Sequence, residues 1–253
     1  MSIGDAEIKT QERVIRFFKD PEILGYQYIG NLSDYQNKNI KEDRLRQYLR
    51  LKGYADKLID AAVMQLQQEA GNLSRGVYDA NKTVYSRLKY GIPVSESPEK
   101  PPVTVELIDE ANPLNNDFAI AEEVTVVEQQ EKRPDLVIYL NGIAVAVIEL
   151  KRSSISVSEG IRQNLTNQKD SFIRGFFTTM QFCMAGNESE GLRYGTLLTG
   201  EKFYMEWKDD GFKEHEEERD PVDVRISKTC EVIDNKLLKQ IYAMFDKERF
   251  IDL

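Results

Sequence analysis

The sequence holds one histidine, one tryptophan, two cysteines and eight prolines in 253 residues, and each scarcity closes off a chemistry. Ser-His-Asp and Cys-His machinery needs an imidazole held beside a nucleophile. The single His215 lies in Lys213-Glu-His-Glu-Glu-Glu-Arg219, which reads as a solvated acidic loop. Cys183 and Cys230 stand far apart with no Cys-x-x-Cys spacing, which argues against a zinc cluster or disulfide framework and leaves two reduced thiols. The longest apolar stretch, Ile143 to Ile148, is far short of the roughly 18 to 20 residues of a membrane span. Met1 to Thr10 lacks a basic start followed by an apolar run, so a cytoplasmic protein with no membrane partner is expected. A phosphate loop is missing too. The nearest approach, Gly195-Thr-Leu-Leu-Thr-Gly200-Glu-Lys202, puts Glu201 between glycine and lysine, and no Ser or Thr follows to hold magnesium. Basic charge is also in short supply: 34 Lys and Arg against 43 Asp and Glu leave a net −9. No whole-molecule field draws such a chain onto a polyanion, and any nucleic-acid contact must be local.

What is present is an ordinary globular composition, 41% hydrophobic and 30% charged, long enough for one large domain or two small ones. The first third reads as helical. Val14, Ile15, Phe17 and Phe18 among charges fit an amphipathic helix over residues 10–19, and Leu45, Leu49, Leu58, Ala62 and Leu66 fit two helices broken at Gly53. Asn37 to Lys57 carries seven Lys or Arg against three acids. It reads as a solvated helix face laced with ion pairs or, alternatively, as a phosphate-contacting surface. Past the Pro-rich bend at residues 97–102 the period changes to that of strands. Strands are predicted over 103–109, 117–127, 135–140, 143–151, 178–185 and 194–198, with residues 202–207 continuing the sheet. A capping-box pattern at Ser156-Val-Ser-Glu159 opens a helix reaching about Arg174. An acidic loop over 209–223 and a helix over 235–247 complete the chain. The expected organisation is a helical part over 1–100, a sheet core over 101–208, and a loop and terminal helix over 209–253.

The sharpest chemistry lies at Glu149-Leu-Lys151, the end of the apolar strand Ile143–Leu150. A charge there costs several kcal/mol unless it is paired or bound to a metal. Asp135, after Pro134, sits at the far end of the partner strand. Face parity makes a test of the hairpin. A plain two-residue Asn141-Gly142 loop sends Asp135 and Glu149 to opposite faces, whereas a three-residue loop or an equivalent bulge brings them to one. We therefore expect the three-residue loop or a bulge. Two carboxylates holding a hard divalent cation, with a lysine to position or deprotonate water, suit phosphodiester hydrolysis. A Glu149–Lys151 ion pair at the sheet rim is the plain structural alternative. Glycoside hydrolysis needs an aromatic sugar platform that a single Trp207 does not offer.

Pro134-Asp135 followed by Glu149-x-Lys151 resembles the PD-(D/E)xK nuclease motif. The text around it extends the likeness to nearly the whole chain: Leu24-Gly-Tyr-Gln-Tyr-Ile-Gly30, Asn115-Asn-Asp-Phe118, Arg133-Pro-Asp-Leu-Val-Ile-Tyr-Leu-Asn-Gly142, Val147-Ile-Glu-Leu-Lys-Arg152, Tyr194-Gly-Thr196 and Trp207. It resembles the N-terminal endonuclease domain of the restriction (R) subunit of type I restriction-modification enzymes. The resemblance implies an α/β fold with a PD-(D/E)xK restriction-endonuclease-like core: a central mixed β-sheet flanked by helices, with an N-terminal helical region. It implies that Asp135 and Glu149 bind Mg²⁺, with Mn²⁺ as a substitute, and that Lys151 is catalytic. It further implies double-stranded DNA as substrate and the modification (methyltransferase) and specificity subunits as partners. The family's Gln-x-x-x-Tyr helix appears here as Gln163 with Asn167 at the aromatic position, so Gln163 joins the expected site and Asn167 is set aside. Glu12 of the first helix is a further candidate near the metal. Family members continue into two motor domains that use ATP, and Lys247 to Leu253 reads as a helix leading to the first, so neither ATPase nor translocation is expected here. The alternatives are a non-catalytic docking module and another PD-(D/E)xK nuclease acting in DNA repair.

Overall fold

The computed structural model describes residues 3–97, 99–208 and 220–253. Four helices come first, α1 (Ile3–Lys19), α2 (Glu42–Leu51), α3 (Asp56–Gly71) and α4 (Val77–Tyr90), with strand β1 (Gln27–Asn31) between α1 and α2. Strands β2 (Ile92–Val94) and β3 (Val103–Val105) pair only with each other. The segment over 103–109 therefore opens a separate ribbon rather than the main sheet. Then follow β4 (Phe118–Glu122), the short ribbon β5 (Val126–Val127) and β6 (Glu131–Lys132), β7 (Leu136–Leu140), β8 (Ile143–Leu150), α5 (Val157–Asn167), β9 (Phe182–Asn187) and β10 (Gly191–Gly195). Helices α6 (Pro221–Glu231), α7 (Lys236–Phe245) and α8 (Lys247–Asp252) close the chain.

The central sheet has six strands in the order β1-β4-β7-β8-β9-β10. It is mixed: β1 with β4 and β8 with β9 are parallel, and the other pairs antiparallel. This is the expected α/β architecture, a mixed sheet flanked by helices. Two apolar cores lie against its faces. One gathers Ile120, Leu136, Ile138 and Ile148 with α1, α3 and α7, and the other gathers Ala121, Val137, Tyr139 and Val147 with Phe176 and Phe177. The two inner strands are therefore apolar on both faces.

Several boundaries differ from the sequence expectation. α5 ends at Asn167, and residues 174–179 form a 3-10 turn instead of its last turns. β4 stops at Glu122 because Glu123 takes φ +50°, which a strand cannot propagate. Residues 201–203 form a 3-10 turn, and only a bridge from Tyr194 to Met205 prolongs the sheet pairing. Asp220 caps α6 and Pro221 takes its first position, so the acidic stretch ends in a helix start. Its part over 209–219, with His215, lies outside the described residues.

Candidate active site

Strands β7 and β8 meet in a two-residue turn, Asn141 at φ +52° and Gly142 at φ +81°, with Leu140 opposite Ile143. Both central residues are left-handed, as the Asn-Gly type I′ turn requires. A Cβ on Gly142 would lie 2.7 Å from the Leu45 amide nitrogen, so α2 closes over the turn only because the position is glycine. The three-residue loop is not formed. The correction comes further along, where Tyr139 faces Ala144 but Ile138 faces Ala146, leaving Val145 as a bulged extra residue in β8. Ala144 and Val147, three positions apart, consequently both contribute to the same core. Past the bulge Leu136 faces Ile148, which sets Asp135 across from Glu149 and on the same face.

Glu149 is 0% exposed. Gln163, half-buried in the middle of α5, donates Nε2 to Glu149 Oε2 at 2.6 Å. Glu149 Oε1 is buried and receives no hydrogen bond. Burial, and then the Asp135 charge, push the Glu149 carboxyl well above the usual carboxylate range. Asp135 Oδ2 accepts the Leu150 amide at 2.7 Å. Burial raises this carboxyl to about 6 against the opposing pull of Lys151. Two neighbouring carboxyls that are both pushed up resist ionising together, and a cation between them would relieve that. The orphaned Oε1 and the oxygen-only donor set fit a hard divalent ion. Among the described residues no three His, Cys, Asp or Glu side chains converge as a ready-made cage.

Lys151 continues the β8 ladder by donating its amide to the Gly186 carbonyl at 2.9 Å. Its Nζ reaches the Leu150 carbonyl at 3.0 Å and Glu7 Oε1 at 3.4 Å. The cation therefore stands at the site and influences both carboxyls, yet its ion-pair partner is Glu7 of α1 and not Glu149. Asn167 is buried one turn beyond Gln163.

Glu12 points into solvent; the helix-one residues that face the site are Glu7 and, one turn on, Gln11, whose Nε2 donates to Glu122 and Glu123. The phase of α1 carried that signal, because Glu7, Gln11, Val14 and Phe18 lie along one buried stripe. Glu123 was also missed. Its amide donates to the Asp135 carbonyl at 2.9 Å, and its charge adds to the rise of both site carboxyls. Beside the pair opens a groove of about 430 Å³ whose walls are Lys132 and Arg133 from one side and Glu159, Arg162 and Gln163 of α5 from the other, with Lys151 between. Gly160 lets α5 approach this closely. A Cβ there would stand 2.9 Å from the Ala185 Cβ and 3.4 Å from the Glu149 Cβ.

The basic segment Asn37 to Lys57 has the character of an ion-paired face. Arg44 binds Asp117 at 2.6 Å, Arg46 binds Glu42 at 2.7 Å, Arg50 binds Asp56 at 2.9 Å and Lys52 binds Asp109 at 2.8 Å. Both cysteines are buried and outside any disulfide, and burial pushes the Cys183 thiol up to about 12. No helix among the described residues is long and apolar enough to cross a membrane.

A mixed sheet carrying an Asp across from a Glu-x-Lys, with a helix glutamine on the glutamate, is the arrangement of a PD-(D/E)xK-like nuclease fold. The model of the family described as type I restriction enzyme R protein N terminus matches residues 7–203, and the chain belongs to that family. Among curated relatives, the putative type I restriction enzyme MjaIXP endonuclease subunit of Methanocaldococcus jannaschii is 33% identical over 97 residues, covering 35% of this chain and 9% of the relative. The type I restriction enzyme SsaAORF53P endonuclease subunit of Staphylococcus saprophyticus subsp. saprophyticus is 29% identical over 112 residues, 42% of this chain and 12% of the relative. The matched stretch thus spans about a tenth of either relative's length.

Proposed function

We propose that this chain is the DNA-cleaving part of a type I restriction R subunit, a divalent-metal-dependent endonuclease module acting on double-stranded DNA. The observation that carries the reading is the fully buried Glu149 carboxyl across from Asp135, its Oε1 receiving no donor, next to a groove that Lys132, Arg133, Lys151 and Arg162 line together with Glu159. In an apolar setting such a pair costs several kcal/mol, a cost that a bound cation offsets. Asp135 and Glu149 would hold Mg²⁺, or Mn²⁺ in its place, and the ion supplies phosphate polarisation and an acidified water.

The chain's own residues do the rest. Gln163 fixes one Glu149 oxygen, so the other is aimed at the site. The Leu150 amide does the same for Asp135. Lys151, paired with Glu7 at 3.4 Å, lines the groove, where its ammonium would steady the attacked phosphate or pass a proton to the leaving oxygen. Lys132 makes no ion pair among the described residues, whereas Arg133 is held by Glu123 at 2.9 Å and Arg162 by Glu159 and Glu201 at 2.8 and 2.9 Å, so the two guanidiniums would meet backbone phosphates by exchanging those partners. ATP use belongs to motor domains elsewhere in the subunit, target choice to specificity and methyltransferase partners, and the setting is cytoplasmic.

The convergence of Asp135 and Glu149 favours this reading over a docking module with a vestigial site. The test is cleavage of plasmid DNA by the complete restriction complex carrying Asp135→Ala or Glu149→Gln in the R subunit. Loss of cutting by about 10³-fold with ATP hydrolysis retained is expected. Unimpaired cutting by either variant would remove the assignment.

A further inference from the structure

The exposed face of α4 carries a pattern that neither the core nor the candidate site uses. Its buried face is Val77, Ala80, Val84 and Leu88, and Asn81 ties it to the turn below by donating to the Met180 carbonyl at 2.8 Å. On the opposite face Tyr78, Lys82, Tyr85 and Lys89 follow one another at steps of four, three and four. That spacing lines them along one stripe. The stripe is roughly 16 Å long, eleven residues at the helical rise. Tyr78 is 58% exposed and Tyr85 51%, and their hydroxyls make no hydrogen bond among the described residues. Lys82 makes no ion pair among the described residues, and Lys89 holds only the exposed Glu110, at 3.1 Å. A surface pair of that kind is weak and exchangeable.

We propose that this stripe is a track for an unpaired DNA strand, the bases stacking on Tyr78 and Tyr85 and the phosphates meeting Lys82 and Lys89. Scattered exposed aromatics need no explanation. Two rings alternating with two lysines at one-turn intervals, in a chain of net charge −9, are a different matter, because stacking platforms between cations are the means by which single strands are held. Duplex DNA offers only phosphates to such a surface and leaves the rings idle. An apolar protein partner leaves the lysines unpaired.

The track also leads somewhere. Its N-terminal end at Tyr78 borders a cleft of about 500 Å³ completed by Leu165 of α5 and, beyond that helix, by Lys169, Asp170 and Arg174, the last ion-paired with Asp170 at 2.5 Å. The next residues of α5, Thr166 and Asn167, line the groove beside Glu149. A strand leaving the candidate site along α5 thus arrives at the stripe. The inference rests on the nuclease reading for its ligand, and it places a hold on the strand at a distance from the cut.

The test is fluorescence anisotropy of a labelled oligothymidine and of a duplex of equal length, with the 253-residue protein in EDTA so that nothing is cut. Tyr78→Ala with Tyr85→Ala should weaken single-strand binding at least tenfold, a stack being worth about 1–3 kcal/mol per base. The paired Tyr→Phe variants should keep it, and duplex binding should change little. Lys82→Gln should flatten the salt dependence by about 0.7 in the logarithmic slope. All four positions are exposed, and an unchanged melting temperature checks the fold. Equal single-strand affinity in the double alanine variant, equal losses for single strand and duplex, or no single-strand binding by the wild type would each overturn the proposal. Asp135→Ala, which leaves the stripe intact, keeps this outcome separate from that of the metal site.

Discussion

Glu149 concentrates the energetics of the site in one side chain. It is fully buried, one oxygen is held by Gln163, and the other is buried without a hydrogen-bond donor, with Asp135 across the strand pair. Both carboxyls are raised, by burial first, above the roughly 4 expected in the unfolded chain. Between that value and the folded ones the native state binds more protons than the unfolded state, so stability falls as pH rises. The metal-free protein should therefore gain most from this pair near pH 4 and lose that contribution as pH climbs through about 6 and beyond. Melting temperatures across that range in EDTA should decline more steeply for the wild type than for Glu149→Gln, which cannot ionise. Parallel slopes would contradict the raised Glu149 carboxyl. Cation binding runs the other way, tightening with pH and releasing protons. Glu149 and Asp135 were legible because charges at the end of an apolar strand are costly, whereas Glu7 was legible only through the phase of α1 and Glu123 was not. Their roles come from the phase of a helix and from a break at φ +50°, and composition carries neither.

At the scale of elements, the β7–β8 hairpin shows how far pattern reasoning reaches. Asn141-Gly142 announced the turn, and face parity demanded one extra residue. Which residue was not legible. Ile143 to Ile148 is a run of Ala, Val and Ile in which a bulge at any position buries an apolar side chain, and Val145 is selected by tertiary packing. The β2–β3 ribbon was misread for a related reason, since alternation identifies a strand and not its partner. Helix α5 supplies the prediction at this scale. Gly160→Ala favours the helix intrinsically, yet its Cβ meets the strand residue Ala185 at 2.9 Å and lifts Gln163 from Glu149. Metal affinity should fall about tenfold, as for a lost outer-shell partner. Ala185→Gly in the same chain should restore it, since the clash is between those two Cβ atoms. Titration calorimetry of the single and double variants decides, and a single variant that binds like the wild type would dismiss the packing argument.

Across the whole molecule, an acidic chain that is proposed to bind DNA must do so through local cationic surfaces. The basic run Asn37 to Lys57 drew attention in the sequence, yet most of its cations are spent on neighbouring carboxylates. Lys132 and Arg133 stand apart in the chain from Arg162, and the fold gathers them around one groove; Arg133 and Arg162 are ion-paired there too, and Lys132 is the groove cation with no ion pair among the described residues. Charge reversal at Lys38 and Lys57 should leave duplex binding and its salt slope unchanged, whereas Lys132→Glu should weaken binding and lower the slope by about 0.9. Filter binding at several salt concentrations distinguishes the two, and the opposite ranking would return the DNA surface to α2. The overall architecture was readable because the sheet strands are strongly apolar and the helices strongly amphipathic. The edges of the sheet and the order of its strands were not, since β1 joins from within the helical first third.

The central claim is that Asp135 and Glu149 form a cation site, and calorimetric titration of Mn²⁺ or Mg²⁺ into this protein and its Asp135→Ala variant tests it without any partner. Binding by the wild type with release of a proton, and its loss in the variant, is the predicted result. Equal binding by both proteins, or binding by neither, would contradict it.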